Sequence, residues 1–147
     1  MATLIRSRYV MNQPSIFITT KDAEKLRKLI REAYHSEYRG SDYLKKLAEE
    51  MEKASVVNPD QIPADVITLN STARLVDQAT NEEMVYTLVF PEDADVSLGK
   101  ISILAPIGTA MLGYKTGDTF EWDTPGGKRT LRVQEIIYQP EASGDEQ

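Results

Sequence analysis

The side chains best suited to chemistry are few in this chain. His35 is the single imidazole among 147 residues, and there is no cysteine. A hydrolytic or metal centre needs converging ligands, or a nucleophile beside a base, and one isolated histidine supplies neither. His35 therefore reads as a solvated surface residue. The glycine-rich pieces are equally poor in chemistry. Residues 113–117 lack the G-x-x-x-x-G-K-[ST] pattern that cradles phosphate. Thr124, Pro125, Gly126 and Gly127 give a fixed φ followed by two positions free to take φ > 0, as a reversal between antiparallel strands requires. Residue chemistry alone thus points to a structural α+β module without a catalytic centre, cofactor or metal.

Composition sets the outer bounds. With 41% apolar and 27% charged residues, the chain is an ordinary globular sequence, sized for one domain or for a small domain with an appendage. It contains no apolar run near the roughly 20 residues that span a bilayer. Residues 1–13 lack an apolar stretch before a small-residue cleavage site, so no signal peptide and no membrane association are expected. The lack of cysteine excludes disulfides and thiolate metal sites and suits a cytoplasmic location. Net charge is −6, unevenly spread: residues 20–54 hold nine basic and eight acidic side chains, whereas residues 55–147 hold six basic against fifteen acidic. So acidic a C-terminal part repels phosphate backbones, which argues against direct, sequence-specific nucleic-acid binding and leaves a basic protein surface as a partner.

The elements that would position any site follow from periodicity. Residues 1–15 show none and are expected to be a mobile arm. After the apolar Ile16, Phe17 and Ile18, either Thr19 or Thr20 can cap a helix, with Asp22 in its first turn. Ala23, Leu26, Ile30 and Ala33 then recur at spacings of 3, 4 and 3, the narrow seam of a helix meant to pair. Gly40 and Ser41 form a stop and a new cap, and Leu44, Leu47, Met51 and Ala54 repeat the spacing. The result is a helical hairpin over residues 16–55, each helix of roughly fifteen residues reaching about 22 Å. Residues 56–63, with Asn58-Pro59 and Ile62-Pro63, read as a linker.

Strands are predicted at residues 66–69, 72–76 and 84–90, with a turn near 78–81 and an acidic loop at 91–95. Ile101 and Ile103 alternate, and the period changes at Pro106, so a strand hands over to a short helix at 107–112 that ends at Gly113. Further strands are expected at 119–122 and 130–138, completing an antiparallel sheet with a helix on one face over residues 64–140. Residues 141–147 read as a disordered acidic tail.

The run S-x-x-x-P-I-G-x-A-x-L-G-x-x-x-G-D-x-x-x-W-x-x-P-G-G, beginning at Ser102 and followed by a strand ending at Tyr138, resembles the C-terminal domain of the Gre transcript-cleavage factors of bacterial RNA polymerase. The whole of residues 16–145, including VITLNS at 66–71 and YQPEA at 138–142, is most similar to the Rnk group, Gre-like proteins with a shortened hairpin, named as regulators of nucleoside diphosphate kinase. The resemblance implies an α+β fold: a short N-terminal antiparallel coiled-coil hairpin, then an FKBP-like antiparallel sheet with one helix. Peptidyl-prolyl isomerase activity would follow from that fold by analogy alone, and fold does not carry function.

The resemblance also implies sites. A Gre arm enters the secondary channel of the polymerase and presents carboxylates that help hold catalytic Mg²⁺, a task suited to oxygen ligands. The matching tip here is Glu37, Tyr38, Arg39 and Asp42, with Arg39 lying between the two carboxylates. Three readings of the tip stay open: a solvated turn, a contact at the channel mouth, or a metal-holding pair. The family's polymerase contact falls on the strand-to-helix junction at Leu104, Ala105, Pro106 and Ile107; Pro106 fits the pattern, whereas Leu104 and Ala105 depart from it. Leu104 is either core or part of that contact. Tyr114 and Trp122 are core residues or partner anchors. The expected function is a non-enzymatic polymerase-binding regulator that competes with Gre factors. The alternatives are a transcript-cleavage factor and an adaptor for nucleoside diphosphate kinase.

Overall fold

The computed structural model describes residues 16–37 and 39–145, so the expected arm at 1–15, Tyr38 and the last two residues lie outside the described residues. Strand β1 (Phe17–Ile18) leads into helix α1 (Thr20–Ala33), capped by Thr19, whose hydroxyl accepts the Asp22 amide at 3.2 Å. Helix α2 (Asp42–Glu52) starts at Ser41, whose hydroxyl accepts the Tyr43 and Leu44 amides, and Gly40 turns the chain at φ 83°. Strand β2 (Ser55–Val56) returns to pair in parallel with β1, tying the two ends of the hairpin together. At 14 and 11 residues the helices are close to the expected length, about 21 and 16 Å at about 1.5 Å per residue. The predicted seam is buried at Ala23, Leu26, Ile30, Ala33, Leu44, Leu47 and Met51; Ala54 falls beyond the helix end and is half-buried.

The second part of the chain builds a five-stranded sheet in the order β5-β4-β3-β7-β6. Its strands are β3 (Thr72–Asp77), β4 (Glu83–Val89), β5 (Lys100–Ser102), β6 (Thr119–Thr124) and β7 (Gly127–Tyr138). Helix α3 (Pro106–Met111) follows β5, and a short helix α4 (Pro140–Ser143) follows β7. The sheet is antiparallel except where β5 pairs in parallel with β4.

Three sequence expectations need correction. Residues 66–69 form no strand beyond a single bridge from Val66 to Lys115. They are fully buried, but their backbone bonds go to the end of α3: the Ile67 amide donates to Tyr114 and the Gly113 amide to Ile67. Strict alternation along the strand expected at 130–138 would put Ile137 on the face of Leu131 and Val133, yet Ile137 is exposed and Ile136 faces the core. Leu75 pairs with Val133 while Arg74 pairs with Glu135, so Gln134 is an extra residue that moves later side chains to the opposite face. Finally, the expected disordered tail at 141–147 begins within a helix, Pro140–Ser143, and Glu141 is buried. The Gln139 side-chain amide donates to the Pro63 and Val66 carbonyls at 2.8 Å each, which holds the chain end against the linker.

One apolar cluster runs from Leu26, Ile30 and Leu47 of the hairpin through Ile67, Ile103 and Met111 to Leu75, Leu131 and Val133 of the sheet. Helix α2 lies along α3, with Leu47 set among Thr109, Ala110 and Leu112. The hairpin and the sheet therefore share a core. At the far end, buried Asp77 locks the β3–β4 turn to β7: its carboxylate accepts the Ala79 and Thr80 amides and pairs with Arg129, whose Nε lies 2.6 Å away. These bonds, the Ala79 amide first, hold the Asp77 carboxyl below its ordinary range.

A shared core means one unfolding transition. Leu47→Ala is expected to lower stability by about 2–5 kcal/mol and to shift the urea transitions seen by Trp122 fluorescence and by helical circular dichroism together. Two separated transitions would show that the hairpin unfolds alone. Because the folded-state pKa of Asp77 is depressed, its contribution is present above the ordinary carboxylate value and is lost as pH falls through the folded value. Stability should drop below about pH 4, and Asp77→Asn should be less stable at pH 7 with a flatter acid limb in urea titrations.

Candidate functional site

The strand-to-helix junction is held by the backbone amides of three successive residues. The Ile103 amide donates to Val89, the Leu104 amide to the Ser102 hydroxyl at 3.0 Å, and the Ala105 amide to the Ser102 carbonyl. Pro106 opens α3 without sacrificing an amide, and the Thr109 hydroxyl returns to the Ile103 carbonyl at 2.6 Å. Helix α3 crosses β5 so closely that a Cβ on Gly108 would lie 2.1 Å from the Ser102 carbonyl oxygen, which explains glycine in the P-I-G segment. Leu104, Ala105 and Pro106 are half-buried, each leaving some surface open at the edge of the sheet. Ile107 is withdrawn into the core, so its place in the sequence-derived contact set is corrected: any surface contact at this junction falls on the three residues before it.

The hairpin tip is exposed at Glu37, Arg39 and Asp42, and His35 beside it is exposed as well. The first turn of α2 also comes down on the globular part. The Tyr43 hydroxyl lies 3.5 Å from the Asp123 carbonyl oxygen of β6, and Asp42, Tyr43 and Lys46 face Phe120 and Trp122 across a groove of about 660 Å³. Trp122 is half-buried against the core, its indole N–H without a partner among the described residues. Tyr114 stacks on Phe120 with ring centroids 5.0 Å apart, and burial raises its phenol pKa. Both aromatics are thus structural on one side and line the groove, or its rim, on the other. Among the described residues, no three His, Asp or Glu side chains converge as metal ligands, and Glu37 and Asp42 are not joined by any shared partner.

A second cleft, of about 570 Å³, opens where the first turn of α1, the linker and α4 meet. Asp22 and Glu141 both line it. Glu141 accepts the Thr68 hydroxyl at 2.7 Å, and Thr68 in turn is bridged to Ser71 at 2.8 Å. Burial first, and then the charge of Glu141, raise the Asp22 pKa. Sequence reasoning missed Glu141, Gln139 and Asp77. The signal available for the first two was Pro140, a helix-opening residue just before the stretch read as disordered.

The model of the GreA/GreB transcription elongation factor C-terminus matches residues 62–138, and that of the Rnk N-terminus matches residues 14–57. The chain belongs to the Gre-related family of transcription factors. It is 38% identical over 136 residues to the regulator of nucleoside diphosphate kinase of Escherichia coli K12, covering 92% of this chain and 98% of that one. It is 36% identical over 95 residues to the transcription elongation factor GreA of Bartonella henselae, covering 65% of this chain and 60% of that one. A solved GreA/GreB-type factor from Nitrosomonas europaea superposes with a TM-score of 0.72 at 42% identity, covering 84% of this chain and all of the other. The two matched families meet in the linker, where the hairpin gives way to the sheet. Among the described residues, no helix is long and apolar enough to cross a membrane.

In this Gre-related fold the junction depends on Gly108. Gly108→Ala is expected to push α3 off β5 and to cost about 1–3 kcal/mol in thermal or chemical unfolding, whereas Thr116→Ala on the exposed loop after α3 should cost under about 0.5 kcal/mol. Equal stabilities for the two variants would show that α3 does not approach β5 this closely.

Proposed function

We propose that the protein is a non-enzymatic, cytoplasmic regulator that binds bacterial RNA polymerase near its secondary channel and competes there with Gre factors. The contact is Leu104, Ala105 and Pro106. Support comes from the family, from the rigid junction with its half-open apolar surface, and from the acidic character of the domain that carries it. A half-open apolar junction is a suitable interface centre.

One observation carries the non-enzymatic part: the hairpin is short and lies on its own domain. Helices of about 21 and 16 Å, with Tyr43 reaching the Asp123 carbonyl of β6, carry Glu37 and Asp42 on a short hairpin instead of at the end of a long arm. Catalysis through a metal held elsewhere requires carboxylates placed to within fractions of an ångström, and a hairpin this short lacks that reach. In this reading the tip residues Glu37, Arg39 and Asp42 touch the channel mouth without acting on a metal, and no membrane or direct nucleic-acid contact is involved.

The deciding experiment is a competition between this protein and a Gre factor for stalled elongation complexes, scored for displacement and for release of short 3′ RNA fragments. Displacement without cleavage is expected, and Leu104→Ser should weaken it about tenfold. Cleavage that Glu37→Ala with Asp42→Ala abolishes would establish the transcript-cleavage reading in its place. The name of the 38%-identical relative supports a second reading, an adaptor that binds nucleoside diphosphate kinase directly. Titration calorimetry with the kinase distinguishes them, since the polymerase reading expects no heat of binding.

A further inference from the structure

The loop between β4 and β5 presents two large aliphatic side chains to water and holds them there. Val96 is 80% and Leu98 67% exposed, the most open large apolar residues among those described, and Val85 of β4 is 47% exposed beside them. The loop is not slack. Asp95 and Lys100 exchange backbone bonds of 2.9 Å in both directions, and the Leu98 amide donates to Asp95. The Asp95 carboxylate accepts both the Ser97 amide at 3.1 Å and the Ser97 hydroxyl at 2.6 Å. Gly99 closes the turn at φ 74°, so close to β4 that a Cβ would lie 2.9 Å from the Val85 carbonyl oxygen. Exposed aliphatics contribute nothing to this fold, yet an ordered turn has already met the entropy cost of positioning them for a partner.

We propose that this turn is a second docking surface, with Val96 and Leu98 as its anchor and a basic, apolar-centred patch of RNA polymerase as its occupant. The inference rests on the polymerase reading above and adds a contact at the opposite end of β5 from Leu104. Charge selects the occupant. Residues 78–98 contain five carboxylates and no Lys or Arg. Lys25 pairs with Glu92 at 2.6 Å, which leaves Asp93 and Asp95 beside the two aliphatics, with Lys100 at the base of the turn. Such a surface repels phosphate, and a second copy of a chain with net charge −6 repels it as well. A protein patch in which Lys or Arg surrounds an apolar recess is complementary on both counts.

The test uses the full-length chain, fluorescently labelled and titrated with core RNA polymerase at low and physiological salt. Val96→Ser with Leu98→Ser is expected to weaken binding about tenfold or more, and Asp93→Lys to weaken it most at low salt. Both variants alter exposed side chains, so their thermal midpoints should match the parent. If the parent binds and the double variant binds equally well, the second surface is refuted while the polymerase reading stands. If the parent does not bind, both fail. Sedimentation showing a dimer that the double variant dissolves would assign the surface to a second copy and overturn the proposed occupant.

Discussion

The hairpin cannot bury its own apolar stripes, and most of the architecture follows from that deficit. Each seam is one residue wide at spacings of 3 and 4, and helices of 14 and 11 residues are marginal without tertiary support. Leu26, Ile30 and Leu47 reach full burial by packing against each other and against α3 and residues 66–69. The parallel pairing of β1 with β2 fixes both ends of the hairpin at the edge of the domain. The site inherits this arrangement: the same packing that stabilises α2 draws the tip toward β6 and gives α3 its second neighbour.

Helix α3 is thus held from two sides, by β5 through the close approach at Gly108 and by α2 through Leu47. Its first residue, Pro106, follows three amides that donate to Val89 and Ser102. A surface held this way would lose little freedom on association, which suits the three-residue apolar contact proposed for it. The Val96–Leu98 turn is assembled on the same principle, from backbone pairing and an Asp95 side chain that satisfies its own loop.

Electrostatics acts in opposite senses at the two ends of the molecule. Asp77 is buried with amides and a guanidinium, so its charged form is favoured and it locks the sheet at neutral pH. Asp22 is buried near a second carboxylate, so its charged form is disfavoured. Most other carboxylates of the sheet domain are exposed, on β4, β6 and β7 as well as on loops, where net charge bears on association more than on the fold.

Periodicity and turn chemistry determined the helices, their caps, the strand-to-helix handover at Pro106 and the reversal at residues 124–127, because those features depend on residues three or four apart. The motif from Ser102 to Gly127 likewise carried the family in its local pattern. Tertiary structure decided the rest. The extra residue at Gln134 turned Ile136 inward in place of Ile137, because a bulge depends on the partner strand. Residues 66–69 look like a strand yet bond to the end of α3, and Glu141 looks like tail yet meets the Thr68 hydroxyl 73 residues away. Where the hairpin lies was decided by the packing of α2 against α3, a long-range term to which no local spacing refers.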